Sequence, residues 1–319
     1  MAYLHPLIVY AFSGMFVGAA LAALATKLPG LPPGARRAVW WAPLAVPFVL
    51  YVASWAWRWR VACWVPVLGG VGYAGAFLAW LCWAGTLLAY LLAPFFVVSL
   101  AAGVGKAAAG AWMAGRLWRR FGPEPGDSRV ALMAAGLAER MGMKPPVVMV
   151  TPHPLAHAFT VGIWRPVVVL SRQLADQLDD EELAAVLAHE LAHVKSCDHL
   201  KKWLGVMLRD ALLLTGLSLP VFRRLQAETE AAADAVAARV TGKPLALASA
   251  LIKGWKLGTA GAWWQLALDN FTPLLAAGEV QRRVERLLEP PSRSLSARGS
   301  RWVPAVVWVL TALILVPLC

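Results

Sequence analysis

Residues 179–198 read DDEELAAVLAHELAHVKSCD, and this stretch decides what the middle of the chain can be. Asp179 or Asp180 can open a helix, after which Leu183, Val186, Leu187, Leu191 and Val194 recur at helical spacing. Inside that helix stands His189-Glu190-Leu191-Ala192-His193. Side chains four apart share one helix face, about one turn apart, so both imidazoles project the same way. Two nitrogens so placed can bind one Zn²⁺, and the glutamate between them can reach a water on the metal. Two buried imidazoles beside a carboxylate are a costly arrangement without a cation.

A catalytic zinc takes three protein ligands and keeps one position open. Glu230 is the leading third ligand. Asp234 follows four residues on, on the same face of a helix expected over residues 222–240 with Gly242 as its stop. Asp234 can accept the outer ring N–H of a ligand histidine and so fix its tautomer. Glu228 competes for the ligand role but is out of phase with Asp234. The expected site is therefore one Zn²⁺ per chain on His189, His193 and Glu230. Glu190 is its catalytic base, taking a proton as water attacks a peptide carbonyl, and Asp234 stands behind a ligand. Asp198 and His199 are expected to end the long helix, Asp198 orienting a neighbour or capping backbone. His153 and His157, in a loop, read as surface or structural histidines before anything catalytic.

Around this helix the chain reads as an ordinary α+β domain. Asp127 or Ser128 can cap a helix reaching Met141, with Gly142 as its stop. Residues 147–151 form a short β-branched run, hence a strand, and residues 158–161 and 167–171 flank Gly162-Ile163-Trp164-Arg165-Pro166 as a hairpin.

The flanks differ. The 319 residues are 59% hydrophobic and 15% charged, against roughly 45–50% and about 25% for soluble domains. From Leu4 to Gly105 the charged residues are Lys27, Arg36, Arg37, Arg58 and Arg60, with no acid. Apolar runs at 4–24 and 38–57 suit bilayer spans; 61–104 reads as one tilted or kinked span or two joined ones, and 302–318 as a last span. Residues 203–222 read as an amphipathic helix, since Arg209 and Asp210 interrupt them. Much of the net charge of +12 sits beside these runs, and many of the 17 tryptophans, Trp40, Trp41, Trp57, Trp59 and Trp302 among them, lie at their ends. Both patterns suit a membrane interface and argue against nucleic acid as a partner. Cys63, Cys82, Cys197 and Cys319 lack C-x-x-C spacing and suggest neither disulfides nor a cysteine metal site.

The expected fold class is a multi-span α-helical membrane protein carrying an α+β metallopeptidase domain, which its likeness to known membrane metallopeptidases implies to be zincin-like (gluzincin). Residues 1–105 form an N-terminal transmembrane region of three or four spans, 106–300 the zinc peptidase domain, and 301–319 a C-terminal transmembrane helix. The basic flanks place the domain on the cytoplasmic side of the cell membrane.

Residues 159–170 (FTVGIWRPVVVL), Asp180-Glu181-Glu182-Leu183, 189–198, Glu230 to Asp234, and 282–288 (RRVERLL) together resemble the BlaR1/MecR1-type membrane peptidases of family M56. The related HtpX/Ste24-type peptidases of family M48 share H-E-x-x-H and E-x-x-x-D. The likeness covers roughly residues 147–288. It implies zinc on His189, His193 and Glu230, Glu190 as general base, and a protein substrate cut in extended conformation beside the hairpin edge. Three functions follow as expectations. They are a regulatory endopeptidase cleaving itself or a cytoplasmic repressor, a quality-control peptidase of HtpX type, and a non-catalytic metal-binding signalling subunit. Glu190 weighs against the last, because a binding module needs no base between two ligands.

Overall fold

The structure, a computed structural model, describes residues 4–61, 122–126, 128–152, 158–161, 166–258, 273–289 and 297–315, with short helical pieces between 94 and 119. In chain order the elements are α1 (Leu4–Ala25), α2 (Pro33–Trp40), α3 (Ala42–Val61), α4 (Arg129–Arg140), β1 (Val147–Thr151), β2 (Ala158–Val161) and β3 (Val167–Ser171). There follow α5 (Arg172–Gln177), α6 (Asp180–Lys195), α7 (Asp198–Ala211), α8 (Ser218–Thr241), α9 (Pro244–Gly258), α10 (Pro273–Leu288) and α11 (Ala297–Leu315). They fall into two compact units. The first comprises Met1–Gly105, Leu204–Glu228 and Arg293–Cys319, the second Lys106–Trp203 and Thr229–Ser292.

In the first unit, apolar helices bury one another's side chains. Met15 and Ala22 of α1, Val39 and Trp40 of α2, and Leu44 of α3 share a core with Phe222 and Val307. Gly18 sits so close to the Pro43 backbone that a Cβ there would lie 2.8 Å from the Pro43 Cα. The Trp308 indole N–H donates to the Ala38 carbonyl at 3.0 Å, tying α11 to α2.

This packing corrects the expected fold class. Among the described residues no helix is long and apolar enough to cross a membrane, so the multi-span bundle is not what these residues build. Helix α2 has 8 residues and carries Arg36 and Arg37. Pro47 lies inside α3, which runs into Arg58 and Arg60, and α11 opens with Arg298 and Arg301 and contains Pro304. In these three helices the interruptions leave apolar stretches short of the roughly 20 residues a bilayer core requires. Most of residues 61–104 lie outside the described residues. The expected helix over 203–222 is also divided. Helix α7 stops at Ala211, a 3₁₀ turn covers Leu213–Thr215, and Gly216 turns the chain at φ 72° before α8 begins. That left-handed conformation suits glycine and ends the helical run.

The second unit is a three-stranded sheet with helices against it. Strand β3 is central, pairing parallel with β1 (Val147↔Val167) and antiparallel with β2 (Ala158↔Leu170), in the order β1-β3-β2. The hairpin was expected; the parallel pairing needs β1 to return beside β3, which short-range patterns do not encode. Val168, Val169 and Leu170 are fully buried. Ser128 caps α4 by accepting from the Ala131 N–H, while Asp127 and the turn at 162–165 lie outside the described residues. Leu183, Leu187 and Leu191 of α6 share a core with Leu137, Leu170, Ala237 and Leu247.

Candidate metal centre

The site is built on α6, whose start is fixed from both sides. The Asp179 carboxylate accepts from the Glu182 N–H at 2.8 Å while the Glu182 carboxylate accepts from the Asp179 N–H at 3.1 Å. Asp180, Glu181 and Glu182 place negative charge in the first turn, where the helix dipole favours it. Glu182 is then claimed by α9, accepting from the Ser249 hydroxyl and Lys253 ammonium, each at 2.6 Å. Arg129 of α4 donates to Asp180 at 2.7 Å. Two and a half turns along this anchored helix stand His189 and His193.

Their Nε2 atoms face each other at 3.1 Å. Glu230 of α8 brings Oε2 to 3.4 Å from the His189 Nε2 and Oε1 to 3.6 Å from the His193 Nε2. Tetrahedral zinc, with bonds of about 2.0–2.1 Å, spaces its ligand atoms about 3.3–3.4 Å apart. The observed separations bracket that value. Among the described residues, His189, His193 and Glu230 are the group whose ligand atoms converge as a metal requires. Glu228, the competing carboxylate, is buried but not in that group.

The outer nitrogens are backed by carboxylates as well. His193 Nδ1 lies 3.1 Å from Asp198 Oδ2, and His189 Nδ1 lies 2.9 Å from Asp234 Oδ1, close but poorly aligned for a linear bond. Such partners set ring orientation and raise ligand basicity. Asp198 does not end the long helix as expected. Helix α6 stops at Lys195, Cys197 takes a left-handed φ of 53°, and Asp198 opens α7. This reversal returns the carboxylate to the histidine five residues earlier.

Two participants lay in quoted stretches without an assigned role. Arg283 of α10 grips Asp234 through Nε at 2.8 Å and Nη2 at 2.7 Å, and its Nη1 lies 3.1 Å from Glu230 Oε2. Its signal was an arginine interrupting the apolar stripe Val280, Val284 and Leu287. Thr160 of β2 donates its hydroxyl to Glu190 Oε2 at 3.0 Å. A polar residue in a strand gave no comparable signal. His153 and His157 lie outside the described residues.

The electrostatics follow from these contacts. Burial opposes a charge on His189, yet the nearby Asp234 and Glu230 carboxylates prevail and push its pKa up to about 10. Burial would raise the Glu230 carboxyl, but Arg283 and the two histidines hold it well below its usual range. Burial likewise works against the Asp234 charge, and Arg283 and His189 hold its pKa down. The Glu279 carboxyl is pushed up by burial and by the charge of Glu230. The cluster thus favours positive charge at the point where three ligand atoms meet.

Comparison with known proteins bears on the same stretch of chain. The family model for the BlaR1 peptidase M56 family matches residues 80–285. A protease HtpX homolog of Acidiphilium cryptum is 29% identical over 219 residues, covering 53% of this chain and 76% of that protein. The HtpX homolog of Methanopyrus kandleri is 31% identical over 169 residues, 42% of this chain and 53% of its own. The plastoglobule-localized metallopeptidase 48 of Arabidopsis thaliana is 38% identical over 96 residues, 29% of this chain and 26% of that protein. The chain spans about half the length of several such relatives. With a family model matched over more than half its length and a histidine–glutamate cluster within that match, the chain belongs to the M56 family of BlaR1-type peptidases.

Proposed function

We propose that this protein is a zinc-dependent endopeptidase holding one Zn²⁺ on His189, His193 and Glu230. The observation that carries this reading is the closeness of the ligand groups: the two Nε2 atoms lie 3.1 Å apart, one Glu230 oxygen lies 3.4 Å from the first and the other 3.6 Å from the second, and a carboxylate stands behind each imidazole. The donor set of two imidazole nitrogens and one carboxylate oxygen suits zinc. When bound there, the ion supplies Lewis acidity to the scissile carbonyl and to water. Glu190, on the same helix between the ligands, takes the proton from the attacking water. The Thr160 hydroxyl occupies its Oε2, so Oε1 is the atom that receives the proton and then passes it to the departing amide nitrogen.

The substrate class is a protein segment in extended conformation. Strand β2 lies at an edge of the described sheet, and its Thr160 touches the base, so a segment laid along β2 would run past Glu190. We assign it regulatory cleavage of itself or of a cytoplasmic repressor, a reading supported by its membership of the BlaR1-type family, with quality-control proteolysis of HtpX type as the alternative. We assign the domain to the cytoplasmic side and the first unit to the membrane surface. Phe16, Leu24, Val49, Val52, Trp302 and Leu313 stand exposed on that unit, and a lipid surface would cover them.

The test is zinc content and proteolysis of wild type and Glu190→Gln side by side. Both variants should hold about one zinc per chain, and cleavage of an unfolded protein should fall about 10²–10⁴-fold in Glu190→Gln. Equal cleavage by the two would remove Glu190 from the chemistry. A wild type that takes up no zinc would sink the assignment.

A further inference from the structure

Three carboxylates contact the two histidines: Glu230 at both inner nitrogens, Asp234 at the outer nitrogen of His189 and Asp198 at that of His193, with Glu190 on the same helix as the rings. Glu279 of α10 adds a fifth acid whose charge is felt at Arg283. A buried guanidinium stands among them. Its side chain is 14% exposed, and it reaches in from α10, 49 residues beyond the aspartate it grips. An arginine fork on a carboxylate is ordinary ion-pair geometry. The rest of its placement is not. Nη1 lies 3.1 Å from Glu230 Oε2 and Nη2 lies 3.5 Å from His189 Nε2, so the cation rests against two atoms that would ligate the metal.

These contacts divide into two kinds. The bonds from Nε and Nη2 to Asp234 involve no metal ligand and can persist whatever binds. The Nη1 contact uses an oxygen that the metal also needs. We propose that Arg283 is a resident counter-cation that shares Glu230 with the metal: it neutralises the acid cluster when the metal is absent and holds metal affinity down when the metal enters. This inference rests on the metal reading above and deepens it.

The alternative is that Arg283 only pins Asp234 in place. The two roles differ in the sign of one measurement. Removing a mere pin loosens Asp234 and the His189 behind it, so the metal binds less tightly. Removing a competing positive charge leaves the carboxylates uncompensated, so the metal binds more tightly.

The experiment measures zinc affinity by competition with a chromophoric chelator at pH 8, on intact wild type, Arg283→Gln, Arg283→Lys and His193→Ala. Arg283→Gln, which keeps a donor for Asp234 but no charge, should bind zinc about tenfold tighter or more. Arg283→Lys retains the charge and should bind zinc no more tightly than wild type, and binding as tight as that of Arg283→Gln would overturn the proposal. Weaker binding by Arg283→Gln would overturn the proposal in favour of a simple pin. If Arg283→Gln folds only when produced with zinc, the contrast is read as slower loss of zinc to the chelator. If it fails to fold even with zinc, the metal cannot replace the guanidinium and the proposal is wrong. The metal reading fails separately, and visibly, if wild type binds no zinc or if His193→Ala binds it as tightly as wild type.

Discussion

The two histidines of the centre are supported in different ways. His193 has a local partner: Asp198 lies five residues on, brought back by the left-handed turn at Cys197, with Lys201 3.7 Å from its other oxygen. His189 has a distant one. Asp234 comes from α8 and is itself held by Arg283 of α10, so three helices must agree before that ring is set. The local half can be assembled by a single helix–turn–helix. The distant half exists only once the unit is folded, and it carries the larger electrostatic stakes.

The hardest blow to this contrast is Asp234→Asn, which leaves the Arg283 guanidinium buried beside one carboxylate instead of two. Loss of a partner from a buried pair costs about 3–5 kcal/mol, and zinc affinity should fall about 10–100-fold. Thermal unfolding and chelator competition check both. A variant as stable as wild type would mean the distant half is not the stressed one.

Acidity separates the halves next. In the metal-free protein the His189 pKa is raised from 6.5 to about 10, so the protonated ring favours the folded state. That contribution is complete below pH about 6.5 and lost as pH rises through about 10. The lowered carboxyls of Glu230 and Asp234 act in the opposite sense, stabilising above their ordinary values and losing that support in acid. Melting temperature of the metal-free protein should therefore decline between pH 7 and 10. It should decline less in Asp234→Asn, and zinc affinity should climb over the same range as the competing proton leaves. A flat profile in metal-free wild type would contradict the distant half as drawn.

Asp198→Asn tests the local half and should be gentler. Zinc affinity is expected to drop about tenfold, with stability nearly unchanged because no buried cation is stranded. A stability loss matching that of Asp234→Asn would erase the distinction. The smallest effect belongs to Thr160→Val, which removes one hydrogen bond from Glu190 and touches neither histidine. Cleavage rate should fall about three- to tenfold, corresponding to a single hydrogen bond, with zinc affinity as in wild type. A change in zinc affinity would place Thr160 in the metal support instead.

What could be read from the chain divides along the same line. His189 and His193 announce themselves by spacing within one helix, as do Glu230 and Asp234, because the helical repeat turns a sequence interval into a shared face. Strands β1, β2 and β3 were legible from β-branched runs. The parallel pairing of β1 with β3 was not, nor was the meeting of Arg283 with Asp234, since neither depends on any local interval. Hydropathy misled for a related reason. It reports that a side chain leaves water and is silent on what receives it. Met15, Trp40 and Leu44, read as bilayer residues, are received by neighbouring helices. Gly216 divided a segment read as one helix because its left-handed turn depends on a single residue's backbone freedom.

The grip of α9 on Glu182 has a consequence for the order of events as the chain is made. Ser249 and Lys253 reach Glu182 across 67 and 71 residues, and Arg283 comes within reach of His189 across 94. Contacts that distant form late, since each requires a long loop to close first. A ribosome that has just released the H-E-x-x-H helix has made two histidines but no anchored helix and no third ligand. In the nascent chain the anchor on Glu182 is therefore incomplete until α9 has emerged, and the grip on Asp234 is missing until α10 has.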